Sequence, residues 1–208
     1  MTDEEKKSLF AKIDRSLEVN QHGWTSPAQA RHMAESILTL RPLVTVEIGV
    51  YAGKGLIALA LAQKATGQGK VIGIDPWSPE ASSEGQPKEH ADWWGKLDHN
   101  PIYEMCLAAI KRYGVEGFVE LKRQKSIDVV PPEKIGVLRV DGNHGPCSKS
   151  DVRRYAPNVV VGGMVYLDDA TWTNGPLQNG ADEDLFDIGF EQVMDLGGGT
   201  LVFKRVRA

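Results

Sequence analysis

The chain has 208 residues, 41% of them hydrophobic and 25% charged, and a net charge of −4. This is enough apolar material for one sizeable core, and the acidic balance argues against a nucleic-acid partner held by a basic surface. Two cysteines without a CxxC pair suit a reducing compartment and give no zinc signature, while the absence of an apolar h-region in MTDEEKKSLF, or of any membrane-length apolar run, points to a soluble, cytoplasmic protein with no membrane contact.

From Asp3 to Val19, Leu9, Phe10, Ile13 and Leu17 recur at helical spacing. The turn QHGWTS follows, with Ser26 as N-cap and Pro27 at the first position of a second amphipathic helix that ends near Leu40, before Pro42. Residues 1–42 are therefore read as a helical cap and residues 43–208 as one globular unit. From Leu43 the pattern alternates. LVTVEIGV is a strand, GLIALALAQKA a helix, and VIGID a strand. After an irregular interval come a helix from about Tyr103 to Tyr113 and the strands FVELK and IGVLRVD. A helix then spans about Lys149 to Tyr155, and the strand MVYLDD follows. Near-continuous apolar strands separated by helices predict an α/β fold with a parallel sheet covered on both faces. The ending FEQVMDL-GGG-TLVFKRV reads as an antiparallel hairpin. The interval from Pro76 to Pro101, with Trp93 and Trp94, reads as a lid loop.

The stretch VEIGVYAGKG places Gly49, Gly53 and Gly55 between the first predicted strand and its helix. A P-loop needs GxxxxGK followed by Ser or Thr, and here only three residues separate Gly49 from Gly53. A dinucleotide fingerprint needs GxGxxG, and here the wide gap comes first. What remains is ExGxxxGxG, which resembles motif I of the class I S-adenosylmethionine (SAM) methyltransferases. The terminal hairpin agrees with that family's antiparallel seventh strand, and the resemblance covers about residues 43 to 208. It implies a Rossmann-like sheet and a loop bending under the amino-acid portion of SAM, with Glu47, Gly49, Tyr51 and Gly53 at the matching positions. A glycine turn with only a packing role is the plainer reading of the loop. Asp75, at the end of VIGID, is implied as acceptor for the ribose hydroxyls, or is an ordinary strand-terminal cap. Ser126 aligns with the adenine-edge contact, or is a helix N-cap. Trp77 shelters the adenine, or covers the sheet edge.

Asp141 ends one strand, and Asp168 and Asp169 end the next. Three carboxylates at one rim raise each other's pKa unless a cation joins them, and a hard divalent ion such as Mg2+ would do so. The pattern D-x-x-H with a later DD resembles the metal-dependent O-methyltransferases of the catechol and macrocin or sugar types. That resemblance makes Asp141, Asp168 and Asp169 metal ligands, with Asp141 also near the amino-acid end of SAM. A solvated strand end without an ion is the alternative. His144 is the candidate proton acceptor, or a loop histidine bonded to backbone. Asn143 stands where some sugar-methylating relatives carry an acid, a departure that separates this chain from their base and substrate. The turn His22-Gly23-Trp24, the Trp93-Trp94 pair and Trp172 are candidate walls for an organic acceptor.

The expected function is SAM-dependent, metal-assisted O-methylation of a small hydroxylated acceptor by a protein that is a monomer or a homo-oligomer. The rivals are a metal-free methyltransferase with His144 as base, a non-catalytic SAM- or nucleotide-binding module, and a nicotinamide-dependent oxidoreductase.

Overall fold

The computed structural model describes residues 1–143 and 145–208; His144, the candidate base, lies outside them. Two capping boxes start the chain's helices. In α1 (Asp3–Val19) the Thr2 hydroxyl accepts from the Glu5 N–H while the Glu5 carboxylate accepts from the Thr2 N–H. In α2 (Pro27–Leu40) Ser26 and Gln29 repeat the exchange and Pro27 takes the first position. Such pairs satisfy N–H groups that the helix itself leaves without acceptors. The buried faces of both helices, including Ile13, Met33 and Ile37, pack on α3 (Lys54–Thr66). That helix is buried almost throughout, as its all-round apolar run LIALALA requires.

The sheet has seven strands in the order β3-β2-β1-β4-β5-β7-β6. They span Val44–Ile48 (β1), Lys70–Ile74 (β2), Val119–Lys122 (β3), Ile135–Val140 (β4), Val159–Leu167 (β5), Phe190–Asp195 (β6) and Leu201–Arg205 (β7). The first five run parallel, and β7 inserts antiparallel between β5 and β6. One face is covered by α1, α2, α3 and α6 (His99–Tyr113), the other by α7 (Pro146–Tyr155) and α8 (Ala181–Ile188). Chain order reverses between β1 and β4, and this leaves a crevice at their carboxyl ends. No helix among the described residues is long and apolar enough to cross a membrane.

Several boundaries differ from the sequence reading. The interval 76–101 is not one loop but carries two short helices, α4 (Pro79–Ser83) and α5 (Lys88–Trp94). Helix α6 begins at His99, four residues before the predicted start, because Asp98 caps it and Pro101 falls in its first turn. Proline is tolerated there, where its missing N–H has no helical acceptor anyway. Pro146 likewise opens α7 earlier than predicted, and α8 was not anticipated.

Candidate functional site

The crevice is a cavity of about 280 Å³ bounded by the carboxyl ends of β1, β2, β4 and β5, the N-terminal turn and the 76–101 segment. Gly49, Tyr51, Asp75, Ser126, Asp141, Asp168 and Asp169 all line it, so seven of the predicted site residues share one wall. The glycines themselves answer to neighbouring protein atoms. A Cβ on Gly49, at φ +86°, would lie 2.1 Å from the Asp141 carbonyl oxygen, because β1 and β4 converge there. A Cβ on Gly53 would meet Cys106 Sγ at 3.0 Å, and one on Gly55 would lie 1.9 Å from Arg139 Nη1. The packing reading therefore holds at all three glycines; Gly49 and Gly55 also border the cavity, whereas Gly53 does not.

Asp75 closes this loop. Its Oδ2 accepts from the Val50 and Tyr51 N–H groups at 3.0 and 2.9 Å, and its Oδ1 accepts from the Trp77 N–H at 2.7 Å. Tyr51 and Trp77 both have positive φ, 51° and 44°, a conformation that side-chain-bearing residues rarely hold unaided. With three of roughly four acceptor positions taken, Asp75 keeps about one for a ligand.

Beneath the cavity lies a buried charge cluster built on Arg139, which is 2% exposed. Its Nη1 donates to Glu47 at 2.7 Å and to Thr25 at 3.0 Å; its Nη2 reaches Asp141 at 2.7 Å and Asp168 at 3.0 Å. Gln29 donates to Asp168 at 3.1 Å, and Thr200 donates to the same oxygen. The N-terminal turn and α2 thus supply Thr25 and Gln29 to the cluster. Burial pushes the Asp141 carboxyl well up, against the pull of Arg139, and Asp168 adds to the rise. Asp168 is held low despite its burial, by Arg139, Asp141 and Thr200. Sequence reasoning passed over Arg139, although a cation inside the apolar run IGVLRVD on a strand covered from both sides must have buried partners.

Two predictions need correction. Glu47, 1% exposed, lies under the cavity and holds Arg139 instead of facing a ligand; its Oε2 has no hydrogen-bond partner among the described residues. Trp77, 2% exposed, covers the sheet. Its ring packs edge-on to Tyr103, its Nε1 donates to the Tyr51 carbonyl, and it is not on the cavity wall. Among the tryptophans, Trp24 and Trp94 do line the cavity, and with Tyr51 and Trp93 they form one aromatic cluster with ring centroids 4.7–6.3 Å apart. Trp172 sits beside His90, off that wall.

Ser126 shares the cavity wall with Asp151, a residue 4% exposed that the sequence reading did not single out. Burial pushes this carboxyl up to about 6, against the pull of Ser126 and Arg154. The native state then keeps a proton that the unfolded chain releases, so this group's contribution to stability falls as pH rises from about 4 to about 6. Over that window the stability difference between wild type and D151N is expected to change by roughly 3 kcal/mol in favour of the variant. Urea denaturation of both proteins at pH 4 and pH 7 measures it, and parallel curves would refute the assignment.

Residues 46–170 match the protein family described as a methyltransferase domain. Among solved structures, the O-methyltransferase NovP superposes with a TM-score of 0.72 at 21% identity, covering 89% of this chain and 83% of that one. TomG from Streptomyces achromogenes, an O-methyltransferase of tomaymycin synthesis in complex with SAM, gives 0.59 at 13% identity, covering 96% and 90%. An O-methyltransferase from Bacillus cereus with SAH gives 0.59 at 15%, covering 96% and 91%. A search of curated proteins finds no significant match.

Proposed function

The chain belongs to the methyltransferase domain family and is a SAM-dependent methyltransferase of class I, and from that premise we propose that it methylates an oxygen of a small hydroxylated acceptor. The observation that carries this reading is the charge of the cavity. Six carboxyl groups and three Lys or Arg cations line it among the described residues, a surplus suited to a positively charged donor. When bound, SAM supplies an electrophilic methyl group on a sulfonium centre. On this reading Gly49 and Tyr51 floor the donor site, Asp75 uses its remaining acceptor position on the ribose, and Ser126 faces the adenine edge. Asp141 borders the amino-acid end. Trp24, Tyr51 and Trp94 wall the acceptor and exclude water, which favours a flat or apolar organic scaffold. His144 is the proposed proton acceptor for the departing hydroxyl proton.

A divalent cation is the finer part of the proposal. Asp141, Asp168 and Asp169 offer the hard oxygen donors that Mg2+ selects, and they would hold it at the cavity rim. A cation there lowers the pKa of the acceptor hydroxyl. Arg139 favours a second, metal-free reading, because it already bridges Asp141 and Asp168, and both oxygens of Asp168 are engaged. Among the described residues no three His, Cys, Asp or Glu side chains are grouped closely enough to hold an ion. Transfer of a labelled methyl group from SAM to a panel of phenols and sugars, before and after exhaustive chelation, separates the two. Loss of transfer on chelation with recovery on adding Mg2+ supports the metal reading; transfer that survives chelation removes the metal and keeps the enzyme. Calorimetry showing no SAH uptake would overturn both.

A further inference from the structure

The segment from Pro79 to Gly95 lacks a core of its own: neither α4 nor α5 contributes a single buried residue. Yet it stands over the cavity, presenting Ala81, Gln86 and Trp94 to it. Ring contacts of Trp93 and Trp94 with Trp24 and Tyr51 hold one end of the segment, and polar tethers that converge on Asn143 hold the other. The Asn143 Oδ1 accepts from the Gln86 side-chain amide and, at 3.2 Å, from the Gly145 N–H. Its Nδ2 donates to the Ala81 carbonyl at 3.2 Å and to the Glu84 carbonyl. Both donors and both acceptor positions of one amide are thereby used. A second tether, Lys125 Nζ to Glu84 at 2.6 Å, lies in the open and contributes little.

We propose that Asn143 is a positioning residue, a latch that holds residues 79–95 over the cavity and so sets both the lifetime of bound cofactor and the placement of the Trp94 wall. The cofactor half of this rests on the proposed function. Aspartate at this position would keep the two acceptor roles and lose both donor roles, setting a carboxylate against the Ala81 and Glu84 carbonyls. It is therefore the informative substitution: N143D keeps the size and the acceptors of the side chain and unfastens the latch by removing its donors.

Hydrogen exchange on the full, cofactor-free chain tests the latch directly. Amides of residues 79–95 are expected to exchange about tenfold or more faster in N143D, and less markedly faster in Q86A, which removes one of the four bonds. In the same variants SAH release, followed by stopped-flow tryptophan fluorescence, is expected to accelerate by about tenfold or more in the same order. KM should rise more than kcat falls, and the pH profile of methyl transfer should keep its shape. Unchanged exchange in both variants overturns the latch. Faster exchange with unchanged SAH release overturns its role in cofactor retention. A new acidic limb in the N143D pH profile with raised kcat shows instead that position 143 serves proton transfer. If the wild type takes up no SAH, the proposed function fails, while the exchange arm still decides the latch.

Discussion

R139M is expected to lower the free energy of unfolding by about 3–5 kcal/mol, the usual consequence of removing one partner from a buried ion cluster. For a chain of this size that is a drop of roughly 6–20 °C in Tm. Methionine keeps most of the side-chain volume but strands Glu47, Asp141 and Asp168, which now depend on the guanidinium for their counter-charge. The loss should be larger at pH 8 than at pH 5, because stranded carboxylates escape part of their burden by taking up protons. R139K should also be poor, since a point-charge ammonium cannot span three acids from one position as the planar fork does. E47M/R139M should recover part of the loss by removing one stranded charge together with its partner. Denaturant titrations in chelated buffer measure all of these. A loss below about 1 kcal/mol for R139M in that buffer, where no divalent ion can replace the guanidinium, would refute the dependence of the three acids on Arg139.

D75A is expected to weaken SAH binding by about 100-fold or more, equivalent to roughly 2.7 kcal/mol. Its effect does not depend solely on a contact to the ligand. The carboxylate accepts three backbone N–H bonds, and two of the donors belong to Tyr51 and Trp77 in the left-handed region. Hydrogen bonds to a charged group contribute about 1.5–3 kcal/mol each, and water will replace them only in part. The cofactor-free protein should therefore lose about 3 kcal/mol as well, and the bend at residues 49–51 should relax. D75N preserves an acceptor for the loop and should fall between wild type and D75A in both measurements. Calorimetry with SAH and denaturation without it separate loop-holding from ligand contact. Unchanged affinity in D75A would remove the donor site from this end of the sheet.

How much of this was legible beforehand depended on the range over which each signal acts. The helix starts at Ser26-Pro27 and the strand-helix alternation from Leu43 were readable because capping and hydrophobic period are settled within a few residues. The same holds for the terminal hairpin, marked by its three-glycine turn. Where local signals were weak the reading failed. The acidic stretch ADEDLFDI became α8 because Ala181 and Leu185 found burial against the sheet face, and the glycine pair at 162–163 hid the early start of β5. Helices α4 and α5 are too short to persist on propensity alone.

By itself, then, the sequence determined a parallel α/β domain with a glycine bend at its first strand and acids at the ends of three others, because each of those features is written in adjacent residues. Only the tertiary structure decided what the residues touch. Glu47 turned to Arg139 instead of to the cavity, Trp77 went beneath the sheet's loops, and Asn143 became a fourfold hydrogen-bonding centre. Each of these rests on a partner more than 25 residues away, and the pairing of such distant groups is set by sheet order and helix packing, which no local period or spacing encodes.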